Sequence, residues 1–349
     1  MQCKCSSITS NFIAYNPVTN TYAALTKMPT ARYRHLACAS GTAIYIFGGR
    51  TLADALISTV DVFFTTNGTW ATLFTTYPSD IGSDNSCSTV VSTVGSTVSS
   101  TIYVMGGYDA SYSVTYSNIY AFSPTSSTFT KMTSSMITGR GDFSSVTRTD
   151  GKISVYGGYT PADFCSPLVS HEVYSPTTNT WATSTALPVG LAEKDDGVII
   201  NNRIFSIGGE RKALLSGCQD TDIVPLRYVF SFDLTLGLWA NETLLPDSRM
   251  RFASAEYGNV LYVFGGQGAL VDGSYLPVLS TAYSYAPAAT AAKAEQTFSV
   301  ATLAGTAVGV AILVVLLGLA GTYISSRCGC SDRFFVSRKG ASMSMRSVV

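Results

Sequence analysis

The chain has little charge and almost no histidine. Only 13% of its 349 residues are Asp, Glu, Lys or Arg, about half the share usual in soluble domains. Lys plus Arg (22) equals Asp plus Glu (22), so there is no basic excess to neutralise phosphates, which argues against nucleic acid as a partner. The polar surface must then come from Ser, Thr, Asn and Tyr, a composition that suits an exported protein. No Cys-x-x-Cys pair is matched by a second Cys or His pair, so a structural zinc site is not expected. Gly-x-Ser-x-Gly, Walker A and His-Glu-x-x-His patterns are all missing. The sequence therefore implies no cofactor. Residues 1–11 hold no apolar stretch of the kind that exports a chain.

Charge is also missing between Glu295 and Arg327, and that absence is informative. From Val300 to Ile324 the residues are apolar or small on every helical face, long enough for the roughly 20 residues that cross a bilayer. Tyr323 stands at one end, where an interfacial aromatic belongs. The segment that follows carries Arg327, Arg333, Arg338, Lys339 and Arg346 against Asp332 alone. The positive-inside rule places that tail in the cytoplasm and the preceding residues outside. The expected organisation is an unstructured stretch at 1–11, a domain at 12–285, an Ala-rich linker at 286–297, a membrane helix at 298–325 and a basic tail at 326–349. Cys328 and Cys330 follow the helix directly and fit palmitoylation sites. Ser347, Val348 and Val349 match a PDZ-domain ligand.

What the chain has in plenty is internal repetition. A strand ending in a glycine pair recurs five times, at Gly48-Gly49, Gly106-Gly107, Gly157-Gly158, Gly208-Gly209 and Gly265-Gly266. Some twenty to thirty residues after each of the first four, a second strand and a polar turn lead to a large aromatic: Trp70, Phe129, Trp181 and Trp239. All three tryptophans of the chain occupy this one position. Each unit reads as four short antiparallel strands that cannot bury both faces alone, so the units must stack on one another. The glycine pair marks where backbones crowd.

This pattern resembles the kelch repeat, whose period of roughly 50 residues it matches. The resemblance implies an all-β fold, a kelch-type β-propeller with five visible Gly-Gly blades. Residues 12–25 look like the outer two strands of another blade, and after the third strand at 281–285 no fourth is evident. The orphan strands either complete the last blade, giving five, or belong to a sixth blade whose first strands are missing. The second alternative is preferred, because a truncated N-terminus also explains the missing export signal.

Fold alone does not fix function. The long loops between second and third strands are the expected binding face, with Tyr108, Tyr112, Phe164 and Tyr275 suited to a protein or glycan ligand. Arg34, Arg140 and Arg251 precede first strands, near the central channel; kelch domains use such positions for acidic ligands, although pairing within the scaffold competes with that role. Cys165 and Cys218, in the loops of neighbouring blades, are expected to form a disulfide outside the cell, whereas Cys38 and Cys87 are expected as packed core thiols. Asn67 and Asn241 head glycosylation sequons. Galactose oxidase has a similar architecture and holds copper with two histidines and two tyrosines, but His35 and His171 here lie two blades apart, so no metal site is expected. The expected function is a non-catalytic, membrane-anchored adhesion or receptor-like module. The alternatives are a secretory-pathway enzyme acting on glycans and a cytosolic propeller on a C-terminal anchor. Acids and arginines clustered at the channel mouth favour the enzyme; a broad aromatic loop face favours the binder.

Overall fold

The structure, a computed structural model, describes residues 8–94, 96–193, 197–212, 223–269 and 277–288, and the backbone of 299–301 and 311–312. It contains five four-stranded antiparallel blades. Blade one comprises Leu36–Ser40, Ala43–Phe47, Val60–Phe64 and Thr69–Thr72, and the later blades repeat it in spans 86–131, 144–184, 198–241 and 253–301. Neighbouring first strands touch where blades one, two and three meet, and again between blades four and five, which puts these strands innermost. Burial follows that order: Ala43–Phe47 is buried throughout, and the fourth strand Thr69–Thr72 is half-buried to exposed.

The turn chemistry read from the sequence is realised. Asn201 and Asn202 take φ of 52° and 59°, and Gly258 and Asn259 take 61° and 63°, the left-handed pair a tight hairpin requires. The glycine pairs have a steric reason as well. Gly158 lies at φ 91°, and a Cβ there would stand 2.5 Å from the carbonyl oxygen of Gly141.

The phased aromatics fill the seams between blades. Phe129 of blade two packs on Phe47 and Tyr77, and Trp239 of blade four packs on Tyr156 of blade three. The Trp239 indole also donates to the carbonyl of Thr185 at 2.9 Å, tying the ring to the preceding blade. Such ring pairs contribute about 0.5–1.5 kcal/mol beyond their burial.

The orphan strands do not complete blade five. Phe12–Asn16 and Thr21–Ala24 pair with each other in a sheet separate from blade five. Phe12 packs against Phe63 and Trp70 of blade one, and Tyr15 against Tyr262 and Phe264 of blade five. The pair thus sits between blades five and one as half a blade. Blade five is instead completed by Ser299–Ala301, which pairs with Ala282–Ser284, a fourth strand that the sequence hid inside its apolar run. Ala311–Ile312 pairs in parallel with Phe12–Ile13. These five residues are extended where the sequence suggested the start and middle of a helix. The rest of 298–325 lies outside the described residues, as do the tail, Cys328, Cys330 and Ser347 to Val349. Among the described residues no helix is long and apolar enough to cross a membrane.

A second correction concerns Cys38 and Cys87. They are not separate core thiols but a disulfide, with Cα atoms 6.3 Å apart, joining the first strands of blades one and two. Adjacent blades bring their innermost strands side by side, a proximity invisible at a sequence separation of 49. Cys165 is also disulfide-bonded; its expected partner, Cys218, lies outside the described residues.

Candidate functional site

Five equivalent residues crown the channel, each just before a first strand: Arg34, Asp84, Asp142, Glu193 and Arg251. All five have positive φ, between 49° and 55°, a conformation that non-glycine residues adopt at a cost on the order of 1 kcal/mol and that concentrates at functional positions. Backbone hydrogen bonds link four of them around the channel: Asp142 N to Asp84 O (2.8 Å), Glu193 N to Asp142 O (3.1 Å) and Arg251 N to Glu193 O (2.8 Å). Unlike charges meet between crown positions. Arg34 Nη1 is 2.7 Å from Asp84 Oδ2, and Arg251 Nη2 is 2.7 Å from Glu193 Oε1. Burial opposes the Arg34 charge, but Asp84, Tyr112, Glu193 and Asp142 more than compensate and hold its pKa above the ordinary arginine value.

A second set follows the glycine pairs: Arg50, Tyr108, Tyr159, Glu210 and Gln267. Each makes an isolated bridge to the residue preceding one of the crown positions, and all five are buried. The Tyr159 hydroxyl donates to Glu210 Oε1 at 3.2 Å. Arg50 reaches into the next blade, donating from Nη2 to the carbonyl of Asp109 at 2.9 Å, and its guanidinium lies 4.0 Å from the centre of the Tyr112 ring. Asp109 in turn accepts from the amides of Ser113 (2.7 Å) and Val114 (2.9 Å), which folds the loop that presents Tyr112.

Between these residues opens a cavity of about 230 Å³. Its charged wall includes Arg34, Asp142, Glu193, Glu210 and Arg251; its aromatic wall includes Tyr108, Tyr112, Tyr159 and Phe164. The rings contact one another, Tyr108 with Tyr112 at 5.5 Å and with Phe164 at 5.9 Å, and Tyr159 with Phe164 at 6.2 Å between centroids. Burial, and then the nearby charges of Asp142, Asp84 and Glu193, push the Tyr108 hydroxyl well above its usual pKa. Burial and the Glu193 charge raise Glu210 to about 7.

The structure thus brings together Arg34, Arg251, Tyr108, Tyr112 and Phe164 from the residues expected at a ligand site. Tyr275 lies outside the described residues. Arg140 does not join them: its guanidinium is fully buried, bonded to the Gly157 carbonyl at 2.9 Å and paired with Glu172. It is two positions out of phase with the crown, where its blade presents Asp142. Arg32 and Arg249 repeat that scaffold role, each donating to the carbonyl of the first glycine of its pair. Sequence reasoning missed Asp142, Glu193, Glu210 and Tyr159. The signal for two of them was available, because Tyr159 and Glu210 directly follow glycine pairs. Among the described residues no group of three His, Cys, Asp or Glu side chains is placed to hold a metal.

Comparison with known proteins fits this architecture. A solved structure described as "Structure of YjhT" is similar over 85% of this chain and 99% of its own, with a TM-score of 0.63 and 15% sequence identity, a likeness of fold alone. No curated protein matches the chain. The family model for the Attractin/LZTR1 beta-propeller matches residues 4–275, and the chain belongs to that kelch-type propeller family.

Proposed function

We propose that this chain is a membrane-anchored binding module, non-catalytic, that seats part of a protein or glycan ligand in the channel mouth. Propellers of this type generally serve as protein-interaction scaffolds. The observation that carries the reading is the joint wall of the cavity, with four aromatic rings beside Arg34 and Arg251, each held by a carboxylate. Rings supply contact area at low entropic cost, and fixed charges supply orientation.

Three features support a location outside the cytoplasm. The Cys38–Cys87 disulfide belongs in an oxidising compartment. Asn67 and Asn241 are both exposed. The apolar residues 302–324, left over once Ser299–Ala301 has joined blade five, still match the roughly 20 residues that cross a bilayer. Palmitoylation at Cys328 and Cys330 and a PDZ partner at Ser347 to Val349 then fall on the cytoplasmic side.

The same mouth favours a second reading. Glu210, with a pKa near 7 beside Tyr159, has the properties of a general acid–base, as a glycan-modifying enzyme needs. We place it second because Arg34 and Arg251 are engaged by Asp84 and Glu193 rather than left for a substrate.

Two measurements test the proposal. Treating the protein from a membrane fraction with N-glycosidase gives a gel shift that disappears in the Asn67→Gln/Asn241→Gln double variant; no shift supports the cytosolic propeller on a C-terminal anchor. Peptide and glycan arrays probed with the full chain give binding that Tyr112→Ala removes. Binding indifferent to Tyr112 moves the ligand site away from the mouth, and turnover of a bound glycan establishes the enzyme.

A further inference from the structure

Among the described residues the charges around the cavity do not balance. Arg34 pairs with Asp84, Arg251 with Glu193, and Arg50 with Asp54. The cavity wall itself carries four carboxylates, on Asp54, Asp142, Glu193 and Glu210, against three cations, on Arg34, Lys212 and Arg251. Glu210 is only 2% exposed. Its Oε1 accepts the Tyr159 hydroxyl, while its buried Oε2 has no hydrogen-bond partner among the described residues. A buried carboxylate oxygen without a donor is destabilising, so an oxygen held this way at a cavity wall favours a ligand that donates to it. Tyr108, Tyr159 and Phe164 line the same space, and aromatic faces attract cations. The cavity, about 230 Å³, admits a short alkyl stem and its head group.

We infer that the group seated here is a protonated amine, its ammonium on Glu210 and its stem against the rings of Tyr108, Tyr159 and Phe164. The inference rests on the binding reading above and deepens it. An ammonium offers Glu210 Oε2 a donor and offsets the excess of one carboxylate among the described wall residues. An anion at the same place meets Glu210, Glu193 and Asp142 together. An uncharged sugar hydroxyl satisfies the oxygen but leaves the charge. Glu210 has Lys212 and Arg251 within electrostatic reach, yet burial and Glu193 prevail and favour its neutral form, a balance that a bound cation reverses.

The test uses the full chain in detergent or nanodiscs at pH 8, titrated by calorimetry with four probes. Nα-acetyl-lysine amide and methyl glucosaminide carry the amine on a side chain and on a sugar; Nα-acetyl-norleucine amide is neutral and Nα-acetyl-glutamate amide anionic. One or both amines are expected to bind with a Kd on the order of millimolar, the neutral and acidic probes at least tenfold more weakly, and Glu210→Gln to lose the preference while keeping the fold. Whichever amine binds more tightly identifies the source as a protein side chain or an amino sugar. Tighter binding of the acidic probe, lost in Arg34→Ala, overturns the inference and leaves the mouth as a binding site. Amine binding unchanged in Glu210→Gln also overturns it. If no probe binds at 50-fold above the expected range, the inference and the binding role of the mouth both fall.

Discussion

Arg140 and Glu172 form a buried ion pair in which both partners are fully satisfied. Glu172 also accepts the amides of Ile137 (2.8 Å) and Thr138 (3.1 Å), while Arg140 donates to Ser170 Oγ at 2.9 Å. Removing one partner of such a pair leaves an uncompensated buried charge, at a cost of about 3–5 kcal/mol. Arg140→Ala is expected to lose that much in urea unfolding. Arg34→Ala, whose side chain is 19% exposed at the mouth so that water can replace it beside Asp84, is expected to lose less. Equal losses would erase the distinction between scaffold and site arginines.

The Cys38–Cys87 bridge closes a loop of 49 residues. In the chain-entropy limit this contributes about 4 kcal/mol by restricting the unfolded state. The Cys38→Ser/Cys87→Ser pair should lower the melting temperature by several degrees, and peptide mapping without reductant should recover the two cysteines on one linked fragment. Free thiols at both positions in protein from cells would place the propeller in a reducing compartment.

Gly158→Ala and Gly151→Ala separate two reasons for glycine. Both positions have positive φ, 91° and 77°. A Cβ at 151 meets nothing within 4 Å, whereas at 158 it meets backbone at 2.5 Å. Gly151→Ala should cost about 1 kcal/mol, the conformational part alone. Gly158→Ala adds a clash that the innermost strands cannot relieve, and it should cost 3 kcal/mol or more, read as a lower urea midpoint or loss of soluble protein.

Glu210 gives the fold a pH dependence of unusual sign for a carboxyl group. Its folded pKa, about 7, lies above the ordinary 4.5, so the folded state holds the proton more tightly. The associated stability is complete below about pH 4.5 and declines as pH rises through 7, by roughly 3 kcal/mol in all. The groups that set it are Glu193, which raises the value, and Arg251, Lys212 and the Tyr159 hydroxyl, which lower it. Glu210→Gln, a mimic of the neutral form, should flatten this part of the profile and be more stable than the parent at pH 8. A profile unchanged between parent and variant would show that Glu210 titrates normally.

Much of this was legible in the residues. The five Gly-Gly strands and the phased Trp70, Phe129, Trp181 and Trp239 implied repeated antiparallel blades, because glycine is required where backbones crowd and a large ring where sheets stack. Tyr108, Tyr112 and Phe164 could be assigned to one loop face because strand connections alternate sides. These are local constraints, and sequence records local constraints directly.

Tertiary structure decided the rest. Arg34 and Arg140 look alike in sequence, and a two-residue difference in phase sends one to the channel and the other into the scaffold. Cys38 meets Cys87 only because blades place their first strands side by side. Ser299–Ala301 reads as the edge of an apolar run, yet an open strand edge in blade five recruits it. The pairing of Arg251 with Glu193, and the burial of Glu210 beside them, depend on five crown positions from five blades closing around one axis. No local pattern encodes that closure, because it is set by how the blades pack.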